Sequence, residues 1–194
     1  MALPALMLDQ PDQDEDAGTL YSKHAQQVTR WAERLLGPDS DLEDVVHEVF
    51  IIAHQRLAGF RGDSSFTTWL FGITKKVVCN RRRKNRWRRW LSGSSTEATR
   101  RLPSTWPDPE RQMQGVEAAR EVYRVLDRLP ERDRQTLILF EMEGLAAEEV
   151  GELLGIKPAN ARLRLFRARA RFLRFYETME MPSRMRRGDH VTKG

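Results

Sequence analysis

Residues 60–90 read FRGDSSFTTWLFGITKKVVCNRRRKNRWRRW, and the two halves of this stretch follow different rules. In the first half Trp69, Leu70, Ile73, Val77 and Val78 recur at helical spacing, the stripe of a helix from about Phe66 to Trp90 that faces a core. In the second half, Lys75 to Trp90, there are nine Lys or Arg and no Asp or Glu, and the stripe dissolves into arginine. A helix that is basic all round at its end is not packed there; it projects toward a partner of opposite sign. Trp87 and Trp90 lie inside the basic run, where a merely solvated face has little use for them. Phe60, Phe66, Trp69 and Phe71 lie just ahead of it. Basic groups that follow a phosphate backbone, beside rings on which bases can stack, are what single-stranded nucleic acid requires.

Working outward, the net charge of +5 understates the asymmetry of the 194 residues. Residues 1–18 carry five acids and no base, residues 61–90 a net +9, and residues 158–176 a net +6 with no acid. Two separate basic blocks predict two separate contacts with a polyanion. The one cysteine, Cys79, excludes an internal disulfide and fits a reducing cytoplasm. No apolar run approaches the ~18 residues of a membrane span, and the N-terminus lacks the pattern of a secretory signal. The expected localisation is cytoplasmic, without membrane insertion.

Ahead of the central stretch, residues 1–18 read as a flexible acidic tail. Leu20, His24, Val28, Trp31 and Leu35 then form a helical stripe, stopped at Gly37-Pro38; His24 on that stripe is a packed core histidine. A second helix opens on a capping box, Ser40 with Glu43. It buries Val46, Val49, Phe50, Ala53 and Leu57, and leaves Glu43, Asp44, His47, Glu48 and Ile51 outside. Gly59 to Ser65 is a turn.

Behind it, residues 91–110 are rich in Ser, Thr and Pro and form a linker. Val116, Ala119, Val122, Leu126 and Leu129 mark the next helix, ended by Pro130. Asp133 to Glu143 is another, ended by Gly144. A short helix Ala146–Leu154, a Gly155-Ile156 turn and a long helix from Pro158 to about Tyr176 give the plan of a helix-turn-helix. On the last helix Ala161, Leu165, Ala168 and Phe172 face inward, which leaves Asn160, Arg162, Arg164, Arg167 and Arg171 facing out. Residues 178–194 read as a disordered polar tail. The whole is all-α: two small helical domains, 19–90 and 111–177, joined by the linker.

These residues resemble an extracytoplasmic-function sigma factor, the small two-domain specificity subunit of bacterial RNA polymerase. Asp41 to Phe50, DLEDVVHEVF, resembles the helix that docks on the clamp helices of the polymerase β′ subunit. Phe60 to Ile73 resembles the promoter-melting region, and the basic run after it the region that reads the −10 element. Leu129 to Gln135, LPERDRQ, and the pattern from Glu143 to Arg169 resemble sigma domain 4, which reads the −35 element. The resemblance implies core polymerase (β′ clamp helices and β flap) and promoter DNA as partners, an anti-sigma factor as a further one, and neither cofactor, metal nor catalytic residue. For docking it implies Asp44, His47, Glu48 and Ile51. For the −10 element and melting it implies Phe60, Ile73, Thr74 and Lys76, which match the walls of a pocket for a flipped base, with Lys75 and Asn80. Further along the same helix it implies Arg81, Arg82, Arg83, Arg86 and Trp87. For the −35 element it implies Asn160, Arg162, Arg164, Arg167 and Arg171. Three positions depart from the pattern: Lys76 stands where the family often has Asn, Ala146 where Ser or Thr caps a helix, and Leu163 at a site that is often polar.

Two other classes compete. A helix-turn-helix regulator that binds duplex DNA as a dimer would leave the aromatic and basic stretch unexplained. A nucleic-acid enzyme would need clustered metal ligands or a nucleophile with its base, and four His, one Cys and scattered carboxylates show no such spacing.

Overall fold

The fold is that of a computed structural model, which describes residues 17–37, 42–91 and 109–188, without side chains at 17, 89, 109–116 and 180–188. Seven α-helices are found among these residues: α1 (Ala17–Leu36), α2 (Leu42–Leu57), α3 (Phe66–Leu91), α4 (Pro109–Leu126), α5 (Glu131–Leu137), α6 (Ala147–Leu154) and α7 (Pro158–Gly188). No strand occurs among them. The all-α expectation holds.

α1, α2 and α3 pack mutually because each presents one apolar stripe. The five stripe residues of α1, His24 included, are all buried, as are Val46, Val49, Phe50, Ala53 and Leu57 on α2. His24 packs its ring 5.0 Å from that of Phe66. Residue 40, assigned to the capping box, lies outside the described residues.

The C-terminal half is built on α5, α6 and α7. α5 widens after Leu137 into a π-helical turn, Ile138–Met142, closed by the Glu143 N–H donating to Ile138 O at 3.0 Å. The sequence predicts an ordinary helix here; the wider turn inserts a residue and redirects Glu143. α6 ends on Gly155 in the left-handed region, φ +66°, where the Ile156 N–H returns to Gly151 O at 2.8 Å, a Schellman-type stop. α7 then buries Ala161 and Ala168 completely, with Leu165 and Phe172 packed beside them. α7 continues to Gly188, through much of the segment that reads as a tail, and α4 begins at Pro109, inside the linker boundary drawn from composition.

The two halves touch. α6 lies against α3, and the π turn against α1, so that buried residues of both halves join one core cluster. The α4 stripe is rotated from the predicted one: Val122 is exposed, while Tyr123, Val125 and Leu126 are buried. The cause is the end of α1. Tyr123 donates its hydroxyl to Arg34 O at 3.2 Å, and its ring covers Gly37. Gly37 has φ +81°, and a Cβ there would lie 2.7 Å from Tyr123 Cδ1. Only glycine satisfies both demands.

Candidate nucleic-acid interface

α3 starts on Ser65, whose Oγ accepts from the Thr68 backbone N–H at 3.2 Å, an N-cap. The aromatic residues around it form one cluster. Phe60 and Phe66 meet edge to face with centroids 5.6 Å apart, and Trp69 lies 5.2 Å from each. Phe66 and Phe71 are 1% and 0% exposed, so they belong to the core and cannot stack on a base. Phe60 and Trp69 are half-buried. Two residues matched to the wall of a base pocket are also interior: Ile73 is buried, and Thr74 is buried with its hydroxyl donating to Leu70 O at 2.9 Å. Their side chains are turned into the bundle by the same stripe that builds α3, which is the correction the structure makes to their place in a pocket.

The basic run divides. Lys76, Asn80, Arg83, Arg86 and Trp87 are exposed, and Lys75 is half-exposed, its ammonium 6.0 Å over the Phe71 ring. Trp87 and Trp90 are 62% and 73% exposed with centroids 5.5 Å apart, a pair of faces at the free end of the helix. Arg81 turns toward α2, 3.9 Å from Asp44 and 3.8 Å from Glu48. Arg82 is buried at 8%: it donates to Leu36 O at 3.3 Å and pairs with Asp127 at 3.0 Å and Glu131 at 3.5 Å. Placed among DNA contacts by its position in a basic run, Arg82 is instead consumed by α4 and α5.

Sequence reasoning missed what surrounds Arg82. Arg134 is fully buried, donates to Leu35 O, lies 3.6 Å from Asp127 and stacks 5.8 Å from the Tyr123 ring. Burial, and then the charge of Arg82, lower its pKa to about 10. Nearby, Cys79 donates to Glu131 at 3.6 Å and accepts from Gln135 at 3.2 Å. Burial, and then Glu131, push its thiol up to about 11. Nothing in the sequence marks it, since residues 133–136 are all polar, yet every one of them is buried.

On α7, Asn160, Arg162, Arg167 and Arg171 are exposed and Arg164 is half-exposed, facing away from Ala161 and Ala168. Arg162 pairs with Glu148 at 2.6 Å and Arg169 with Glu141 at 2.6 Å, and Arg171 pairs with Asp133. Leu163 and Phe166 are exposed between them. Ahead of the turn Ala146 is the N-cap of α6 and has no side-chain acceptor; only the reverse half of a capping box forms, from the Ala146 N–H to Glu149 at 2.7 Å. On α2 the four docking candidates Asp44, His47, Glu48 and Ile51 are all exposed on one face at steps of three, one and three. No group of three or more metal-ligating side chains and no helix long and apolar enough to cross a membrane occurs among the described residues.

Comparison with known proteins meets this geometry at both ends. Sigma-70 region 2 matches residues 20–88, and sigma-70 region 4 matches residues 119–172. The chain is 34% identical over 138 residues to the ECF RNA polymerase sigma-E factor of Escherichia coli, covering 68% of this chain and 72% of that protein. It is 29% identical over 164 residues to the RNA polymerase sigma factor NccH of Alcaligenes xylosoxydans, covering 84% and 88%. Among solved structures, the sigma factor RpoE of Bartonella quintana in complex with the anti-sigma factor NepR is similar with a TM-score of 0.57 at 20% identity, over 82% of this chain and 96% of that one.

Proposed function

The chain belongs to the extracytoplasmic-function sigma factors, RNA polymerase subunits that bind core polymerase and promoter DNA to start transcription, and from that premise we propose which surface does which part of the work. The outward face of α7, with Arg164 and Arg167 at its centre, reads the −35 element as duplex. The exposed face of α3, with Lys76, Asn80, Arg83, Arg86 and Trp87, follows the −10 element, and the half-buried Phe60 and Trp69 offer ring surface on which an unpaired base stacks. The α2 face of Asp44, His47, Glu48 and Ile51 docks on the polymerase clamp helices. Residues 19–90 and 111–177 act as the two functional domains. The protein works in the cytoplasm and performs no chemistry of its own; the polymerase makes the phosphodiester bond. An anti-sigma factor, such as the one bound to the Bartonella relative, is a further partner.

The observation that carries this reading is that one chain bears two unlike basic faces, one of arginines on α7 and one on α3 beside exposed tryptophans. Arginines on α7 suit a duplex, where they supply salt-dependent phosphate contacts and base-edge contacts in the major groove. Rings beside basic groups suit an opened strand, where stacking returns roughly 1–3 kcal/mol per base against the few kcal/mol that flipping costs. A dimeric regulator of duplex sites needs only the first. Run-off transcription with core polymerase on candidate promoters is the test. Transcripts that appear only when this protein is added are expected; a protein that dimerises on duplex DNA and yields none would reverse the assignment.

A further inference from the structure

The outward face of α7 carries an apolar line among its arginines. At about 100° per residue around a helix, Leu163 stands opposite the buried line of Ala161, Leu165, Ala168 and Phe172. Ala159, Phe166 and Ala170 follow it on one side, and Asn160 and Arg167 on the other. All of these neighbours are exposed, with Leu163 at 48% and Phe166 at 72%. Three arginines that border the line are already engaged. Arg162 pairs with Glu148 and Arg169 with Glu141, each at 2.6 Å, and Arg171 pairs with Asp133. Their acids sit on α6, the π turn and α5, the elements behind α7, so these guanidinium groups lean away from the apolar line. Residues 158–176 still carry a net +6 with no acid, a field that selects a polyanion as the occupant of this face.

We propose that Leu163 is a specificity-determining residue of the −35 contact, taking the C5 methyl group of a thymine in the major groove. This rests on the reading of α7 as the helix that meets −35 duplex. In a helix-turn-helix the N-terminal residues of the second helix reach the base edges, and Leu163 lies in the second turn of α7. The groove presents it with acceptors, amino donors and one apolar group, the thymine methyl. Leu163 has no polar atom with which to meet the others. Covering an N7, an O6 or an amino group would leave that group without its water and without a partner, whereas covering the methyl removes apolar surface from water on both sides. Cytosine is rejected most directly, because it lacks the methyl and sets an amino donor beside the same place. Arg164 and Arg167 supply phosphate contacts, which fix the register of the helix on the duplex without reading sequence.

The test uses the full chain bound to core polymerase and a duplex library randomised over about a dozen base pairs, with core polymerase alone as the blank. The enriched duplex is resynthesised with deoxyuridine for thymine, one position at a time on either strand, which removes the methyl and keeps the pairing. Dissociation constants are read by gel shift at one fixed salt concentration. At one position the unaltered chain should bind the deoxyuridine duplex about fourfold more weakly, the effect of one methyl group left in water. Leu163→Ala should bind the thymine duplex that much more weakly and should no longer distinguish the two. The site is exposed, so the variant should fold normally, and circular dichroism verifies it. Arg164→Ala with Arg167→Ala should weaken both duplexes together and keep their ratio. An enriched site without thymine, no position at which deoxyuridine matters, or the same deoxyuridine penalty in Leu163→Ala overturns the role of Leu163 alone, as long as the arginine variant weakens binding. No enrichment, or enriched duplex bound equally well by the arginine variant, takes −35 reading away from α7 and overturns both.

Discussion

α3 and α7 carry the two basic blocks, and the structure uses them in opposite ways. On α7 the small residues Ala161 and Ala168 do the packing, so the arginines point outward; Arg162 and Arg169 pair with exposed acids and Arg171 with the buried Asp133. On α3 one arginine of the run is taken into the interior with two carboxylates, another leans on α2, and Lys76, Arg83, Lys84, Arg86 and Arg88 face solvent with two tryptophans. A run of one charge thus specifies a field rather than a set of contacts. Which members reach a ligand is decided by what the neighbouring helices bring opposite them.

The sharpest break of this comparison is between an interior and a surface arginine. Arg134→Met removes a fully buried guanidinium with its bond to Leu35 O and its stack on Tyr123, while Asp127 keeps Arg82, which should destabilise by about 1–3 kcal/mol. Arg167→Ala, exposed on α7, should stay within ~0.5 kcal/mol. Urea denaturation of the two variants gives both numbers, and equal costs would erase the distinction. Next in size, Gly37→Ala combines the left-handed backbone penalty of roughly 1–2 kcal/mol with the contact on Tyr123. Its cost should fall in a Tyr123→Ala background, because the clash is relieved and the backbone strain stays. Additive costs in that double-mutant cycle would mean that Tyr123 does not press on Gly37.

On the DNA side, Arg164→Ala with Arg167→Ala should flatten the salt dependence of duplex binding by about 0.9 per lost phosphate contact, read from gel shifts across salt concentrations. Arg82→Ala, an interior group, should leave that slope unchanged. The smallest effect is at the vacant cap: Ala146→Ser should stabilise by about 1 kcal/mol, read as a rise in melting temperature. A fall would show that the site cannot admit a hydroxyl.

Much of this was legible in advance because it is local. The stripes of α1 and α2, the helix-turn-helix and the outward arginines of α7 follow from spacing alone, and the structure keeps them. The contact between the two halves was not legible, because it is built from partners far apart in the chain. Arg82 meets Leu36, Arg134 meets Leu35, and Ser65 meets Glu152. The rotation of α4 that exposes Val122 and buries Tyr123 follows from the same contacts, as does the value of the π turn that delivers Glu143 to α1. Ile73 and Thr74 show the converse: a motif match placed them at a ligand, and their position on the α3 stripe placed them in the core.

The division of labour between the two basic helices is tested most directly by permanganate reactivity of melted −10 thymines, with core polymerase, on duplex and on premelted templates. Phe60→Ala should bind duplex promoter nearly normally and fail to open it, and a premelted template should restore it. Arg164→Ala with Arg167→Ala should be impaired on both templates. Equal rescue of the two variants, or none for Phe60→Ala, would mean that the aromatic cluster ahead of α3 serves only to pack the bundle and that opening is done elsewhere.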